Sequence, residues 1–478
     1  MNYSIIVYII GCVLNIEGLF LFLPCVTALI YREQSGFAFL FTAILCLILG
    51  RAATFRKPKN SVFFGKEGFV TVSLCWIVLS IFGALPFVLN REIPHITDAL
   101  FETISGFTTT GSTILTDIEA LSNCSLMWRS FTHWIGGMGV LVFVLAVLPL
   151  SGSGSHMYLM RAESPGPSVN KLVPRVKNTA MILYGIYIVI TIIEIILLLL
   201  GGMPVFDALT AAFGTVGTGG FGIKNDSFAS YSGYCQSVVT VFMILCGINF
   251  NIYYLILCKK HKQAFQSEEL RMYLGVILTS TILIAINIRH IFPGFQAARH
   301  ALFQVGSIIT TTGFATADFN TWPDLSKMIL IFLMFFGACA GSTGGGIKIS
   351  RILILLKSIK KELFFIVHPR SVKKLRMDGQ AIEHDVIRSV NVFLAVYLII
   401  MMLSMLIISL ENKGTVTTVT SVITTINNIG PGLDLVGPVG NFSSFSALSK
   451  FVFMFDMLAG RLEIFPLLIL FMPDTWKK

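Results

Sequence analysis

Ten stretches of this chain are apolar for long enough to cross a lipid bilayer. They lie near 4–30, 37–54, 67–90, 126–150, 179–202, 234–258, 271–291, 326–357, 388–410 and 447–471. Roughly 20 residues of helix cross the hydrocarbon, and inside it only helices or closed barrels satisfy every backbone polar group. Composition agrees. Of 478 residues 55% are hydrophobic and 13% charged, with mean hydropathy +0.80, more apolar surface than a soluble fold hides from water. The expected class is an all-α polytopic membrane protein. The segment 5–30 carries Glu17 within it and lacks a small-residue cleavage site, so it reads as a retained helix, not a signal peptide.

Four shorter apolar runs, near 95–108, 204–217, 297–310 and 414–427, are too short to cross. They fit re-entrant half-helices, whose ends need surrounding protein or a watery path. Each runs into a loop of mostly small residues: Thr108-Thr109-Thr110-Gly111-Ser112, Thr218-Gly219-Gly220-Phe221-Gly222, Thr310-Thr311-Thr312-Gly313-Phe314 and Asn427-Asn428-Ile429-Gly430-Pro431. Thirteen residues before the first three loop glycines stand Asp98, Asp207 and His300, each followed by Ala-Leu. Six residues before each glycine stands a small residue: Ser105, Gly214, Ser307 and Thr424. The fourth copy shares only that small position and the loop. A span, half-helix, loop and span unit used four times fits this spacing. The chain then divides into two extra N-terminal helices (1–62) and four units at 63–152, 153–262, 263–378 and 379–478. About ten transmembrane helices plus four re-entrant pore helices are expected.

Basic residues cluster in alternate connections: Arg51, Arg56, Lys57, Lys59 and Lys66; Arg161, Lys171, Arg175 and Lys177; Lys259, Lys260, Lys262 and Arg271; and a large group between Lys348 and Arg388. Lys477 and Lys478 end the sequence. By the positive-inside rule these face the cytoplasm, with both termini, and all four loops face outward. The net charge of +10 therefore reports topology, not a nucleic-acid partner. The nine cysteines show no metal-ligand spacing, and most lie in apolar runs as packing. Whether Cys124 and Cys235 pair stays open.

A dehydrated monovalent cation needs oxygens in place of its water, and glycine lets the backbone turn successive carbonyls inward. The candidate filter residues are Thr109, Thr110 and Gly111; Thr218, Gly219 and Gly220; Thr311, Thr312 and Gly313; and Asn428, Ile429 and Gly430. The bland alternative, ordinary turns, fits one such loop better than four at matched spacing. Asp117, Asp226, Asp318 and Asp434 follow the glycines closely and would concentrate cations if they ringed an outer mouth; the alternative is solvated loop charge.

Five glycines between Gly337 and Gly346 break what would be a continuous span. Gly341, Ser342, Thr343, Gly344, Gly345 and Gly346, with Lys348 beyond, read as a flexible gating loop below the filter, against close helix packing as the alternative. Arg461 inside the last apolar segment reads either as a charge beside the pore or as a snorkelling residue or an ion pair with Glu463. The chain has no paired carboxylates, metal cluster or activated nucleophile, and no GxGxxG or P-loop, so an enzyme is not expected. His133 and His300 stand alone and read as satisfied or packing residues.

Longer strings carry a resemblance. They are His133-Trp134-Ile135-Gly136-Gly137-Met138-Gly139, the run from Met160 to Pro167, Lys171-Leu172-Val173-Pro174-Arg175, the run from Gly341 to Lys348, the run from Asn427 to Gly432, and Gly460-Arg461-Leu462-Glu463-Ile464-Phe465. On these the chain resembles the Trk/Ktr/HKT superfamily of potassium transporters, most closely its TrkH-type bacterial members. The resemblance implies four M1–P–M2 units around one pore and a homodimer. It implies K+ uptake across the bacterial inner membrane, with K+ as the transported ion and no prosthetic group. It also implies a cytosolic TrkA-type regulatory subunit that binds NAD(H) and ATP. In this family a serine in place of a filter glycine goes with Na+ selectivity, and all four positions here are glycine. The second loop departs, with Val216-Gly217-Thr218 where larger residues are common. The alternative is an ion-coupled secondary transporter with a midplane substrate site, which usually shows two repeats rather than four.

Overall fold

The computed structural model describes residues 1–58, 65–139, 176–371 and 374–477. Lys59, Arg161, Lys171, Arg175, Lys478, the strings 160–167 and 171–175, and the end of the expected span 126–150 lie outside the described residues. The described chain is helical apart from one two-residue hairpin, Arg376–Met377 against Gln380–Ala381, turned by Asp378 and Gly379 with φ of 51° and 80°. That two-residue turn of positive φ suits the twist of its strands.

Six helical stretches are long and apolar enough to cross a membrane: Tyr3–Tyr31, Gly36–Thr54, Gly65–Leu89, Ala180–Leu200, Glu268–Asn287 and His384–Ser409. Their outer faces leave large apolar side chains uncovered, among them Leu29, Phe37, Leu200 and Leu406, as lipid contact requires. The first and second stretches meet through glycine. A Cβ on Gly11 would lie 2.6 Å from that of Ala53, and one on Gly50 would lie 2.8 Å from the carbonyl of Gly11. Contact this close is how helices associate in lipid, where the hydrophobic effect offers little.

Three expected spans are broken. The segment 234–258 is two helices, Gly233–Cys246 and Phe250–Leu257, bent 90° at Gly247. The segment 326–357 ends at Phe336 and resumes at Ile349, with Gly337, Gly341, Gly346 and Lys348 at positive φ between. The last segment stops at Arg461, where Glu463 and Ile464 take φ of 55° and 70°. The second break is the one expected from the glycines between Gly337 and Gly346, whereas the segments interrupted at Gly247 and after Arg461 read as continuous.

The four short runs are helices Ile96–Phe107, Val205–Val216, Phe295–Ile309 and Thr415–Ile426. One apolar core joins the N-terminal helices to the first short helix and to the last two long segments. A second core surrounds the third short helix, Phe295–Ile309. The four loops lie where the short helices end.

Candidate functional site

Each short helix ends in the same way. The amides of Thr110, Gly219, Thr312 and Ile429 donate to the carbonyls of Ser105, Gly214, Ser307 and Thr424 at 2.8–2.9 Å. The amides one residue earlier donate to Gly106, Thr215, Ile308 and Thr425. The five-residue reach is that of a Schellman cap, which needs one left-handed residue. That residue is Thr109, Thr218, Thr311 or Asn428, with φ between 53° and 59°. A left-handed β-branched residue is a true outlier, costing about 1–3 kcal/mol. Two residues on, Gly111, Gly220, Gly313 and Gly430 have φ of 79°, 84°, 87° and 97°. The residue between is not left-handed. This alternation turns successive carbonyls to one side, as a cation-coordinating loop requires.

The four loops close on one another in cyclic order. A Cβ on Gly111 would fall less than 3.0 Å from the carbonyl oxygen of Gly219. One on Gly220 would meet the carbonyl of Thr312, one on Gly313 that of Ile429, and one on Gly430 that of Thr110. Each glycine thus faces the carbonyl just before the equivalent glycine of the next loop, and the fourth returns to the first. Nine of the twelve sequence-identified filter residues are buried; Gly111, Gly220 and Gly313 are partly exposed.

Side chains hold the ring from behind. The hydroxyls of Thr108 and Thr110 are 2.8 Å apart, as are those of Thr310 and Thr312. Asn428 Nδ2 donates to Thr110 Oγ1 and to the Met457 carbonyl, both at 2.9 Å. A buried ion pair that sequence reasoning missed joins the first two loops on their outer side. Arg129 Nε lies 2.7 Å from Glu102 Oε1, and its Nη1 donates to the Gly222 carbonyl at 3.0 Å. Glu102 also accepts from the Thr113 hydroxyl and the Ile114 amide. The available signal was a charge inside each of two apolar segments.

The position thirteen residues before each glycine has one job in the last three loops. Asp207 accepts from the Tyr231 hydroxyl, His300 Nδ1 lies 2.9 Å from Thr316 Oγ1, and Thr417 donates to Asp434, tying each helix start to the segment after its loop. The fourth copy therefore matches through Thr417. Asp98 instead pairs with Lys450 at 2.6 Å. The expected ring of outer carboxylates is not formed. None of Asp117, Asp226, Asp318 and Asp434 lines the cavity outside the glycines, which Arg129, Lys224 and Asn225 do line. The aspartates brace the loops instead: Asp117 accepts from Asn225 beyond the second loop, and Asp318 caps the amide of Asn320.

Inside the ring lies the glycine-rich segment. The Gly345 amide donates to Thr311 Oγ1 at 2.6 Å. A Cβ on Gly344 would come 2.8 Å from the Thr310 carbonyl, and one on Gly345 2.7 Å from that of Asn427, so glycine here permits backbone-to-backbone approach. The buried Lys348 turns its ammonium back onto the Gly344 carbonyl. Arg461 Nη1 donates to the Thr343 carbonyl at 2.8 Å and to Thr109 Oγ1 at 3.2 Å; its Nη2 donates to the carbonyls of Gly136 and Gly137. Glu463 pairs with Arg351. Gly341, Ser342, Gly344, Gly345, Gly346, Lys348 and Arg461 share one inner cavity with Trp76 and Glu463. Thr343 is buried and does not line it. Glu269, unmarked in the sequence, fastens both ends of the segment: its Oε1 accepts from the Ala340 amide at 2.7 Å and the Ser350 amide at 3.2 Å.

Among the described residues no group of His, Cys, Asp and Glu could hold a metal ion; the oxygens gathered here are backbone carbonyls and threonine hydroxyls, a donor set suited to a weakly held cation in transit. Residues 35–478 match the family model TrkH, described as a cation transport protein. The Trk system potassium uptake proteins TrkH of Salmonella typhimurium and of Escherichia coli K12 are each 36% identical over the full length of both chains. TrkG of Escherichia coli K12 is 33% identical over 99% of this chain and 98% of its own. The crystal structure of the potassium transporter TrkH from Vibrio parahaemolyticus superposes with a TM-score of 0.89 at 32% identity, covering all of both chains. A buried ring of four glycine loops, a family model matched over most of the sequence and full-length relatives agree: the chain belongs to the TrkH family of cation transport proteins.

Proposed function

We propose that the chain takes up K+ across the bacterial inner membrane through a gated pore on the axis of the glycine ring. The observation that carries this reading is the cyclic closure, in which each loop glycine faces the carbonyl preceding the next. Such a ring offers a dehydrated cation a level of backbone oxygens and leaves no room for a side chain. Relatives named as potassium uptake proteins support K+ as the cargo. On this reading the architecture is ten membrane spans plus four re-entrant pore helices in four M1–P–M2 units, at 63–152, 153–262, 263–378 and 379–478, after two extra helices in 1–62. Both termini are cytoplasmic.

The gate is the segment 341–346 with Lys348 and Arg461. It lies directly under the third and fourth loops and carries positive charge onto the axis, which opposes a cation until it moves. A homodimer and a cytosolic TrkA-type regulatory subunit that binds NAD(H) and ATP complete the proposal, since this chain has no nucleotide motif of its own. The test is growth of bacteria lacking their own K+ uptake. Expression of the chain is expected to restore growth at low K+, and Gly313→Ser to abolish that rescue. Equal rescue by both proteins overturns the reading.

A further inference from the structure

The second loop lacks something its equivalents have. Before the glycine, the first, third and fourth loops carry Thr110, Thr312 and Ile429; the second carries Gly219. The space is nevertheless filled. The imidazole of His133, from the helix Asn123–Met138 of the preceding unit, occupies the place where a Cβ on Gly219 would sit, well inside 3.0 Å. His133 is fully buried, and neither ring nitrogen has a hydrogen-bond partner among the described residues. The ring meets Phe221 edge-on with centroids 4.2 Å apart. The His133 carbonyl abuts Gly217, where a Cβ would also fall inside 3.0 Å. His133 thus presses on the second loop on both sides of its left-handed residue, Thr218.

We infer that His133 is the missing side chain of the second loop, supplied from a neighbouring helix, and is a positioning residue for ion selectivity. The Gly219 carbonyl is the oxygen that Gly111 faces, so its position fixes one edge of the ring. A buried, flat ring held by packing alone backs that peptide as Thr110 and Thr312 back theirs. Two glycines around Thr218 would otherwise leave the peptide free to turn. This inference rests on the ring being the selectivity filter.

The test measures K+ and Na+ uptake into proteoliposomes containing His133→Ala, Gly219→Ala, the double variant, or Gly111→Ser as a reference for the ring itself. His133→Ala is expected to lower the K+/Na+ ratio about tenfold or more while the protein still carries ions. Gly219→Ala alone should lose K+ uptake, because its methyl meets the imidazole. The double variant should recover K+ uptake above Gly219→Ala, since the methyl enters the space the ring has left. If His133→Ala does not reach the membrane, His133→Asn and its double carry the same comparison. An unchanged ratio in the His133 variant, or a double variant no better than Gly219→Ala, overturns the inference. With Gly111→Ser altering the ratio, only the His133 role falls; with Gly111→Ser also without effect, the filter reading falls with it.

Discussion

Arg461 donates a hydrogen bond to the carbonyl of Thr343 at 2.8 Å. The last long helix is thereby fastened to the glycine-rich segment of the preceding unit, and the same guanidinium reaches Thr109 in the first loop. One side chain thus links three parts of the site. Removing it frees the segment and takes a positive charge off the path. Arg461→Ala is expected to raise K+ flux several-fold without a regulatory partner, measured in proteoliposomes at matched protein content. Unchanged or abolished flux in well-expressed protein contradicts the gate.

Glu269 acts on the same segment from the other side. It receives the amides of Ala340 and Ser350, so both ends of the segment hang on one carboxylate oxygen. Hydrogen bonds to a charged group are worth about 1.5–3 kcal/mol each. Glu269→Ala is expected to increase basal flux, with Glu269→Gln, which keeps an acceptor oxygen, lying between it and the parent. The reverse order of the two variants counts against a clamp.

The Arg129–Glu102 pair is buried on both sides. Removing one partner of such a pair costs about 3–5 kcal/mol, because the other charge stays buried alone. Glu102→Gln and Arg129→Met are each expected to lower the thermal midpoint in detergent and to reduce K+ over Na+ selectivity. The double variant should lose less than the sum of the two. Additive losses would show that the pair does not act as a unit.

Glu411 supplies a pH-dependent contact outside the spans. Burial opposes its charge, but the amide and hydroxyl of Ser446, the hydroxyl of Ser449 and Lys413 outweigh that and hold the carboxyl below its usual range. A depressed carboxylate stabilises the fold above the unfolded-state value of about 4.3, and the contribution fades as pH falls through the lower folded value. Glu411→Gln should therefore lower the thermal midpoint at pH 7 and hardly change it near pH 3. An equal drop at both would point to lost packing instead.

Much of the site was legible in the sequence, for identifiable reasons. The short helices stand out because each is apolar, too short to cross and followed by a glycine. The small residue six positions before that glycine supplies the carbonyl that accepts the cap amide five residues on, so its spacing follows from that hydrogen bond. The fourth copy looked weak because Thr417 does the work of an aspartate or histidine with a hydroxyl. The bend at Gly247 was hidden, since a hydropathy window averages over a single glycine. Glu102 with Arg129, Glu269 with the glycine-rich segment, and His133 behind Gly219 join residues 27 to 86 positions apart, and no local pattern says which residue each one meets. The outer aspartates fail as a ring because their carboxylates accept from amides and hydroxyls of the loops and helix starts around them.

The central claim is that the four loop glycines form one cation filter of unequal quarters. A Cβ at Gly430 would lie 2.9 Å from the Thr110 carbonyl, while those at Gly111, Gly220 and Gly313 would lie closer to theirs. The direct measurement is the K+/Na+ uptake ratio in proteoliposomes for alanine at each of the four positions. The ratio is expected to collapse at Gly111, Gly220 and Gly313 and to fall least at Gly430. A ratio unchanged by all four substitutions, in protein that still carries ions, would contradict it.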